Sequence, residues 1–228
     1  MQHCPICRKE VEKLTELYIC EDCAKDQILF QQKWEGKAFK EDVERDPTDA
    51  YFKRAFAYME KGDFNRAIMD FSELIKLNPN ETEAFSNRGM AYHNKGDFSH
   101  AVEDFSELIK LNPDEADAYY NRGAAYYEIG DFDHAVDDFA EVIRLTPDDV
   151  DGYFHRGLSY RKTGQFDLAI GDFTEVIKID PSYIHAYFIR GLTYKERGDS
   201  DQAAVDFNEV LKLDPNHGPT KEALAGLK

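Results

Sequence analysis

Residues 84–113 read AFSNRGMAYHNKGDFSHAVEDFSELIKLNP, and residues 118–147 read AYYNRGAAYYEIGDFDHAVDDFAEVIRLTP. The second stretch repeats the pattern of the first 34 positions later. The same step extends in both directions and gives five columns: Pro79, Pro113, Pro147, Pro181 and Pro215; Phe71, Phe105, Phe139, Phe173 and Phe207; Tyr58, Tyr92, Tyr126, Tyr160 and Tyr194; Gly62, Gly96, Gly130, Gly164 and Gly198; Ala67, Ala101, Ala135, Ala169 and Ala203. Such a period predicts a stack of copies of one short structural unit.

One copy of the unit, residues 80–113, predicts two short amphipathic helices. Asn80 is expected to cap the first helix and Gly96 to end it, because glycine adopts the left-handed conformation at low cost. Asp97 then caps the second helix, and Pro113 stops it. The apolar positions at helical spacing are Phe85, Gly89 and Tyr92, then Ala101, Phe105 and Leu108. Neither helix buries its apolar face alone, so neighbouring units must stack.

These columns resemble those of the tetratricopeptide repeat (TPR) family over residues 48–217. The resemblance implies an all-α, right-handed α-solenoid of helix-turn-helix repeats with the boundaries 48–81, 82–115, 116–149, 150–183 and 184–217. The family's first aromatic residue is usually Trp, and here it is Tyr51, Phe85, Tyr119, Tyr153 and Tyr187. A usual Leu is replaced by Arg54, Arg88, Arg122, Arg156 and Arg190.

Each of these arginines on a first helix is accompanied by an aspartate on the second helix of the same repeat. The aspartates are Asp70, Asp104, Asp138, Asp172 and Asp206. Because a counter-charge accompanies every arginine, we predict a partly buried Arg–Asp ladder between packed helices. The alternative is a row of arginines that bind a ligand.

Four cysteines near the N-terminus form the pairs Cys4-x2-Cys7 and Cys20-x2-Cys23. Two such pairs supply the four thiolates of a tetrahedral structural zinc site, which leaves no open position for catalysis. Two pairs with room for a hairpin between them, followed by a helical pattern, resemble a treble-clef or zinc-ribbon finger over residues 1–27. A thioredoxin-like redox pair and an iron site are the alternatives.

The apolar helical pattern from Ile28 to Val43 has two interpretations. It predicts either a cap on the first repeat, within a linker of residues 28–47, or a partner-binding surface. A short capping helix is expected in residues 218–228. We expect a monomer, with an end-to-end dimer through this short cap as the alternative.

Composition limits the partners and the compartment. The net charge is −17, from 45 acidic and 28 basic residues, which argues against nucleic acid and favours a neutral or basic protein partner. No apolar run predicts a membrane span, and the first residues lack the apolar core of a signal peptide. All four cysteines lie in the first 23 residues, so none remains for disulfides elsewhere, and a reducing, cytoplasmic setting is expected.

A stripe on the first helices varies between repeats, and we call it the variable stripe. Its members are Asp49, Phe52, Phe56 and Met59; Glu83, Ser86, Met90 and His93; Asp117, Tyr120, Ala124 and Tyr127; Asp151, Phe154, Leu158 and Arg161; His185, Phe188, Leu192 and Lys195. In the TPR family this stripe lines the concave groove that takes peptides or helices. The large aromatic residues there predict partner binding, and the alternative is that they help repeats to pack.

The candidate partner-binding residues, which include two neighbours of the stripe, are Phe52, Phe56, Asn87, Met90, Asp117, Tyr120, Asn121, Tyr127, Asp151, Phe154, Leu158, Phe188 and Leu192. TPR members with a carboxylate clamp hold chaperone C-termini with Lys and Asn. Asn87 and Asn121 lie where an Asn would help, but Phe52 and Phe56 occupy clamp positions in the first repeat, which argues against that function.

The sequence therefore predicts a protein-interaction adaptor with a structural zinc ion and no enzymatic activity. No Ser/His/Asp or Cys/His catalytic set and no glycine-rich phosphate loop is apparent. Two alternatives stay open, a nucleic-acid-associated zinc-finger factor and a redox protein. Against the first, Arg8, Lys9, Lys13 and Lys25 are offset by neighbouring acidic residues, so no basic patch forms.

Overall fold

The computed structural model describes residues 2–3, 10–11, 33–34 and 36–227 of the chain. The chain divides into two compact units, Met1–Glu81 and Thr82–Lys228. In the first unit, strands β1 (Gln2–His3) and β2 (Glu10–Val11) pair antiparallel, with His3 opposite Glu10. The sequence predicts a hairpin between the two cysteine pairs, but this strand pair joins the segments on either side of the first cysteine pair.

Regular helices account for nearly all of the remaining described chain. The first unit holds α1 (Lys37–Arg45), α2 (Pro47–Glu60) and α3 (Phe64–Leu77). The second unit holds α4 (Thr82–Lys95), α5 (Phe98–Leu111), α6 (Ala116–Ile129), α7 (Phe132–Leu145), α8 (Val150–Lys162), α9 (Phe166–Ile179), α10 (Ile184–Arg197), α11 (Ser200–Leu213) and α12 (Gly218–Ala225). Each helix of the second unit packs on the next, which makes this unit an all-α helical-repeat solenoid.

Local sequence explains where the helices begin and end. The carboxylate of Asp131 accepts a hydrogen bond from the backbone N–H of His134 (3.3 Å) at the start of α7. Gly130 ends α6 with a φ of +90°, a left-handed conformation that favours glycine. The prediction that Asn80 caps α4 is wrong. Asn80 lies in the preceding turn, where its N–H donates to Asn78 Oδ1 (3.1 Å), because the Asn78 side chain organises that turn.

The core of each repeat is a phenylalanine on its second helix. Phe71, Phe105, Phe139, Phe173 and Phe207 are at most 1% exposed. In the second to fifth repeats a glycine on the first helix lets the ring approach the helix backbone, and the first repeat has Ala55 at this position. A Cβ atom on Gly89 would lie 2.8 Å from Phe105, and one on Gly157 would lie 2.8 Å from Phe173. Both glycines are therefore required by packing rather than by a turn.

The predicted Arg–Asp ladder is confirmed in all five repeats. Each arginine donates from Nε to one carboxylate oxygen at 2.8–2.9 Å and from Nη2 to the other at 2.6–2.7 Å. The aspartate side chains are 3–8% exposed and the arginine side chains 15–21%. These are bidentate pairs with little solvent contact, so the counter-charge explains the arginine column.

The third guanidinium nitrogen, Nη1, links some of these pairs to the element before the repeat. It donates from Arg122 to Ser106 Oγ (3.1 Å), from Arg190 to Thr174 Oγ1 (2.9 Å) and from Arg54 to the Trp34 carbonyl (3.1 Å). The ladder thus ties the third repeat to the second and the fifth to the fourth, as well as the two helices within each repeat.

Along the chain, one short helix precedes the first repeat and another follows the fifth. On α1, Phe39 is 6% exposed, and its ring lies 3.6 Å from the Arg54 guanidinium carbon and 5.9 Å from the Tyr51 ring. Burial of Phe39 favours the interpretation of this segment as a cap. At the other end, Thr220 of α12 is fully buried, and its hydroxyl lies 2.6 Å from His217 Nδ1. Among the helices that the structure describes, none is long and apolar enough to cross a bilayer.

Candidate functional site

The phenylalanine and tyrosine members of the variable stripe are half-buried, apart from Phe56, which is exposed. In the second unit, Tyr120, Phe154 and Phe188 each lie against the core phenylalanine of their own repeat, at ring-centroid distances of 5.7 Å to Phe139, 5.7 Å to Phe173 and 6.0 Å to Phe207. Phe52 lies 6.3 Å from Phe71 in the same way in the first unit. One side of each ring therefore contributes to packing within the repeat, and part of each ring remains accessible to solvent.

A second layer of rings, which sequence reasoning missed, lies beside this column. His155 packs edge-on to Tyr120 (5.3 Å), Tyr183 packs on Phe154 (5.4 Å), and His217 packs on Phe188 (5.2 Å). A signal for two of them was available. The last position of the repeat is acidic three times, at Glu81, Glu115 and Asp149, and then becomes Tyr183 and His217.

The acidic members of the stripe stand in the first turns of their helices. Asp117 and Asp151 are both exposed. Burial, together with the charges of Asp151 and Asp149, raises the pKa of Tyr120 to about 12. Burial and the charge of Asp151 also raise the pKa of Tyr183. The negative charge of Asp151 therefore acts on two tyrosine hydroxyl groups that come from different elements.

The remaining candidates in the second unit differ in how accessible they are. Met90 is 42% exposed, and Leu158 and Leu192 are half-buried. Tyr127 packs edge-on against Phe132 at 5.2 Å. Asn87 donates from Nδ2 to the Glu83 carbonyl of its own helix (2.8 Å), so its side-chain amide is hydrogen-bonded to the backbone. Asn121 is half-buried.

The candidates of the first unit form a pair of rings. Phe52 and Phe56 stack with a centroid separation of 6.2 Å, and Phe56 also packs edge-on to Phe71 at 5.8 Å. Phe56 remains 41% exposed. Two large rings at this place leave the first unit with an apolar surface where a carboxylate clamp would need cationic or amide groups.

One cation of the stripe is already neutralised. Arg161 of α8 donates to Glu196 of α10 from Nε (3.0 Å) and from Nη2 (2.5 Å). The Arg161 side chain is 21% exposed. Bidentate pairing holds this guanidinium at the junction of two repeats, so it does not offset the acidic residues at the other end of the same helix.

The predicted metal ligands Cys4, Cys7, Cys20 and Cys23 lie outside the described residues. The strand pair β1–β2 flanks the first cysteine pair along the chain, with Gln2 opposite Val11. Within residues 33–34 and 36–227 and the two short strands, no group of three or more His, Cys, Asp or Glu residues is arranged to hold a metal ion.

Family models match most of the chain. A TPR repeat model matches residues 55–96 and 91–130, and a tetratricopeptide repeat model matches residues 116–149, 150–183 and 185–217. The chain belongs to the tetratricopeptide repeat family. The prediction of tetratricopeptide repeats is thereby confirmed, and the departures at the first aromatic and arginine columns are variations within the family. No curated protein sequence gives a significant match.

Solved structures of TPR proteins are similar to the chain. A crystal structure of MamA is 31% identical, covers 74% of this chain and 96% of its own, and has a TM-score of 0.68. MamA residues 41-end from Desulfovibrio magneticus RS-1 are 25% identical, cover 76% and 98%, and reach a TM-score of 0.72. YrrB, described as a TPR protein with an unusual peptide-binding site, is 20% identical, covers 82% and 97%, and has a TM-score of 0.70, which bears on the fold alone.

Proposed function

We propose that this TPR protein is a non-catalytic adaptor that binds a segment of another protein along the variable stripe. The observation that carries the proposal is the column of half-buried rings at Tyr120, Phe154 and Phe188, each anchored on a core phenylalanine. Rings that are held rigidly and remain partly accessible are the side chains on which interface energy concentrates. The exposed Asp117 and Asp151 favour a segment with basic residues.

The histidines of residues 36–227 support an adaptor rather than an enzyme. Each contacts the scaffold: His93 packs on Phe98, His155 on Tyr120 and His185 on Tyr183. The others pair with neighbouring polar side chains, namely His100 with Asp97, His134 with Asp131 and His217 with Thr220. Five of these contacts involve a ring or a carboxylate, and the hydroxyl that His217 contacts, that of Thr220, is fully buried and inaccessible to a substrate.

The experiment is selection of binders from a random peptide display library on the full chain, followed by affinity measurement on variants. Phe154→Ala combined with Phe188→Ala should weaken the selected peptides more than about tenfold. The matched control is Tyr153→Ala with Tyr187→Ala. These rings are also half-buried on α8 and α10, but they lie under the arginine guanidinium groups, 5.6 and 5.8 Å away, and outside the stripe.

The two double variants separate binding from stability. Loss of binding in the stripe variant alone, at unchanged helical signal, supports the proposal. Equal loss in both variants assigns the stripe rings to the core and contradicts it. Light scattering on the same samples tests the expected monomer against an end-to-end dimer.

We also propose a structural zinc ion at Cys4, Cys7, Cys20 and Cys23. Four thiolates in two Cys-x2-Cys pairs have the ligand type and number that tetrahedral zinc prefers. The antiparallel pairing of His3 with Glu10 is compatible with this proposal, because it brings the two sides of the first cysteine pair together. The placement of every cysteine in this segment favours a reducing, cytoplasmic setting.

A further inference from the structure

Four rings from three elements contact one another at the junction of the third and fourth repeats, and Asp151 lies one helical turn before two of them. Asp151, Phe154 and His155 share one face of α8, since they are three and four positions apart. Tyr120 reaches His155 from α6, with its hydroxyl 3.4 Å from Nδ1. Tyr183, the residue before α10, packs on Phe154. We call these five residues the junction cluster.

The geometry of α8 directs the rings toward the carboxylate. Side chains on a helix lean toward its N-terminus, so Phe154 and His155 lean over the turn that carries Asp151. The rings of Phe154 and His155 are nearly perpendicular, at 84° and 5.6 Å. Tyr120 contacts His155 and Tyr183 contacts Phe154, and the charge of Asp151 acts on both tyrosine hydroxyl groups. The carboxylate therefore stands in the turn toward which two rings lean, within electrostatic reach of two more.

The exposed carboxylate of Asp151 belongs to no ion pair found among residues 36–227. The cation at the far end of the same helix, Arg161, is engaged by Glu196. The neighbouring Asp149 uses its carboxylate to accept from the Gly152 N–H (2.6 Å), as the cap of α8. The negative charge of Asp151 is therefore available to a cation that comes from outside the repeat.

Helix electrostatics account for part of this arrangement only. An acidic residue in the first turn is favoured by the helix dipole, which explains Glu83 and Asp117 as well as Asp151. It does not explain the surrounding rings. The equivalent positions of the preceding junction hold Ser86, Asp117, Tyr120, Asn121 and Asp149, with one ring, and those of the following junction hold Phe154, His185, Phe188, Ile189 and His217, with no acid.

We propose that the junction cluster is a subsite for one cationic side chain, lysine or arginine, of the segment bound by the variable stripe. Aromatic faces attract a cation through their quadrupole, and a carboxylate beside them adds a direct ion pair. The inference rests on the proposed function for its physiological ligand, but the subsite can be tested without a partner.

The experiment is NMR titration of the full chain with N-acetyl-arginine methylamide and N-acetyl-lysine methylamide. The uncharged control probe is N-acetyl-citrulline methylamide, which has nearly the shape of the arginine probe. We expect saturable shifts at Tyr120, Phe154 and Tyr183 with both cationic probes and none with citrulline. Asp151→Asn and Tyr183→Ala should each weaken binding several-fold. The control Asp201→Asn should not, because Asp201 is an exposed first-turn aspartate of α11 that lies outside the variable stripe.

The outcomes distinguish this inference from the adaptor proposal. Shifts that are absent, equally strong with citrulline, or equally sensitive to Asp201→Asn would overturn the subsite. If selected peptides depend on Phe188 but the cationic probes fail, the subsite is wrong and the adaptor stands. If the probes bind at the junction cluster but no peptide is selected, the subsite stands and the adaptor function falls.

Discussion

Replacing Arg122 by leucine should destabilise the protein by about 3–5 kcal/mol, because it leaves a buried carboxylate without its partner. Asp138 is 5% exposed and accepts from Arg122 at 2.8 and 2.7 Å. The hydroxyl of Ser106, which accepts the third guanidinium bond, also donates to the Val102 carbonyl (2.7 Å) and keeps that bond. The loss of stability therefore arises from the unpaired carboxylate of Asp138.

The reverse single change should cost less. Asp138→Leu leaves Arg122, whose side chain is 21% exposed and can turn toward water, so we expect about 1.5–3 kcal/mol. The double change Arg122→Leu with Asp138→Leu replaces two charges by apolar groups, and we expect a cost within about 2 kcal/mol of zero. The two changes should thus be strongly non-additive.

The effect of pH gives an internal check on this mechanism. Burial raises the pKa of Asp138, and the hydrogen bonds of Arg122 act in the opposite direction. In Arg122→Leu the opposing effect is lost, so the folded-state pKa rises further above the ordinary value of about 3.9. A raised folded-state pKa favours folding when the group is protonated. The penalty should therefore be small below about pH 4 and grow as the pH rises through the folded-state pKa.

The assay is urea unfolding followed by circular dichroism at several pH values for the wild type and the three variants. A loss of 3–5 kcal/mol corresponds to a fall of about 6–20 °C in melting temperature for a chain of this size. If the double change costs the sum of the single changes, or if the cost of Arg122→Leu does not depend on pH, the reasoning about the ladder is wrong.

Three further predictions address single features. Arg156 has Ala140 at the position where Arg122 has its hydrogen-bond acceptor Ser106. Ala140→Ser should therefore add a hydrogen bond and raise the free energy of unfolding by up to about 1 kcal/mol, and Ser106→Ala should lower it by a similar amount. Equal free energies of unfolding for the wild type and both variants would contradict this. The hydrogen bond to Asp97 raises the pKa of His100. The pair should therefore stabilise the protein by well under about 1 kcal/mol below about pH 6.5, and this stabilisation should be lost as the pH rises through the folded-state pKa. A difference in melting temperature between wild type and His100→Gln that grows above neutral pH would have the wrong sign. Chelation should release zinc and leave the helical circular dichroism of the repeats intact, and less than half an equivalent of zinc in the pure protein, without iron, would count against the site.

The constant columns made much of the fold predictable from the sequence. A residue that recurs at the same place in five repeats performs the same task each time, so the sequence alone was enough to pair Arg122 with Asp138. The core phenylalanines and the turn glycines followed from the same argument. In each case the same physical requirement recurs in every repeat, so each copy of the pattern supports the interpretation of the others.

The junction cluster was less predictable because its members do not repeat. Tyr183 interrupts an acidic column, and His155 replaces an asparagine, but neither change predicts which ring the new side chain contacts. The contact partner depends on how far adjacent repeats are offset from each other. The prediction that Asn80 caps α4 was wrong for a related reason. Asn78 and Asn80 can both organise the turn, and the local backbone conformation determines which of them does so.

On the first helix of each repeat, the ladder arginine and the variable stripe lie on different faces. This placement explains how binding and stability can vary separately. At about 100° per residue, the ladder arginine and the tyrosines that flank it lie about 120–180° around the helix from the middle of the variable stripe. In the fourth repeat, Arg156 accordingly binds Asp172 while Phe154 and Asp151 belong to the other side. Because the ladder supplies the same inter-helix bond in every repeat, the stripe is free to carry serine in one repeat and phenylalanine in another. A change such as Asp151→Asn should therefore alter binding without weakening the Arg156–Asp172 pair.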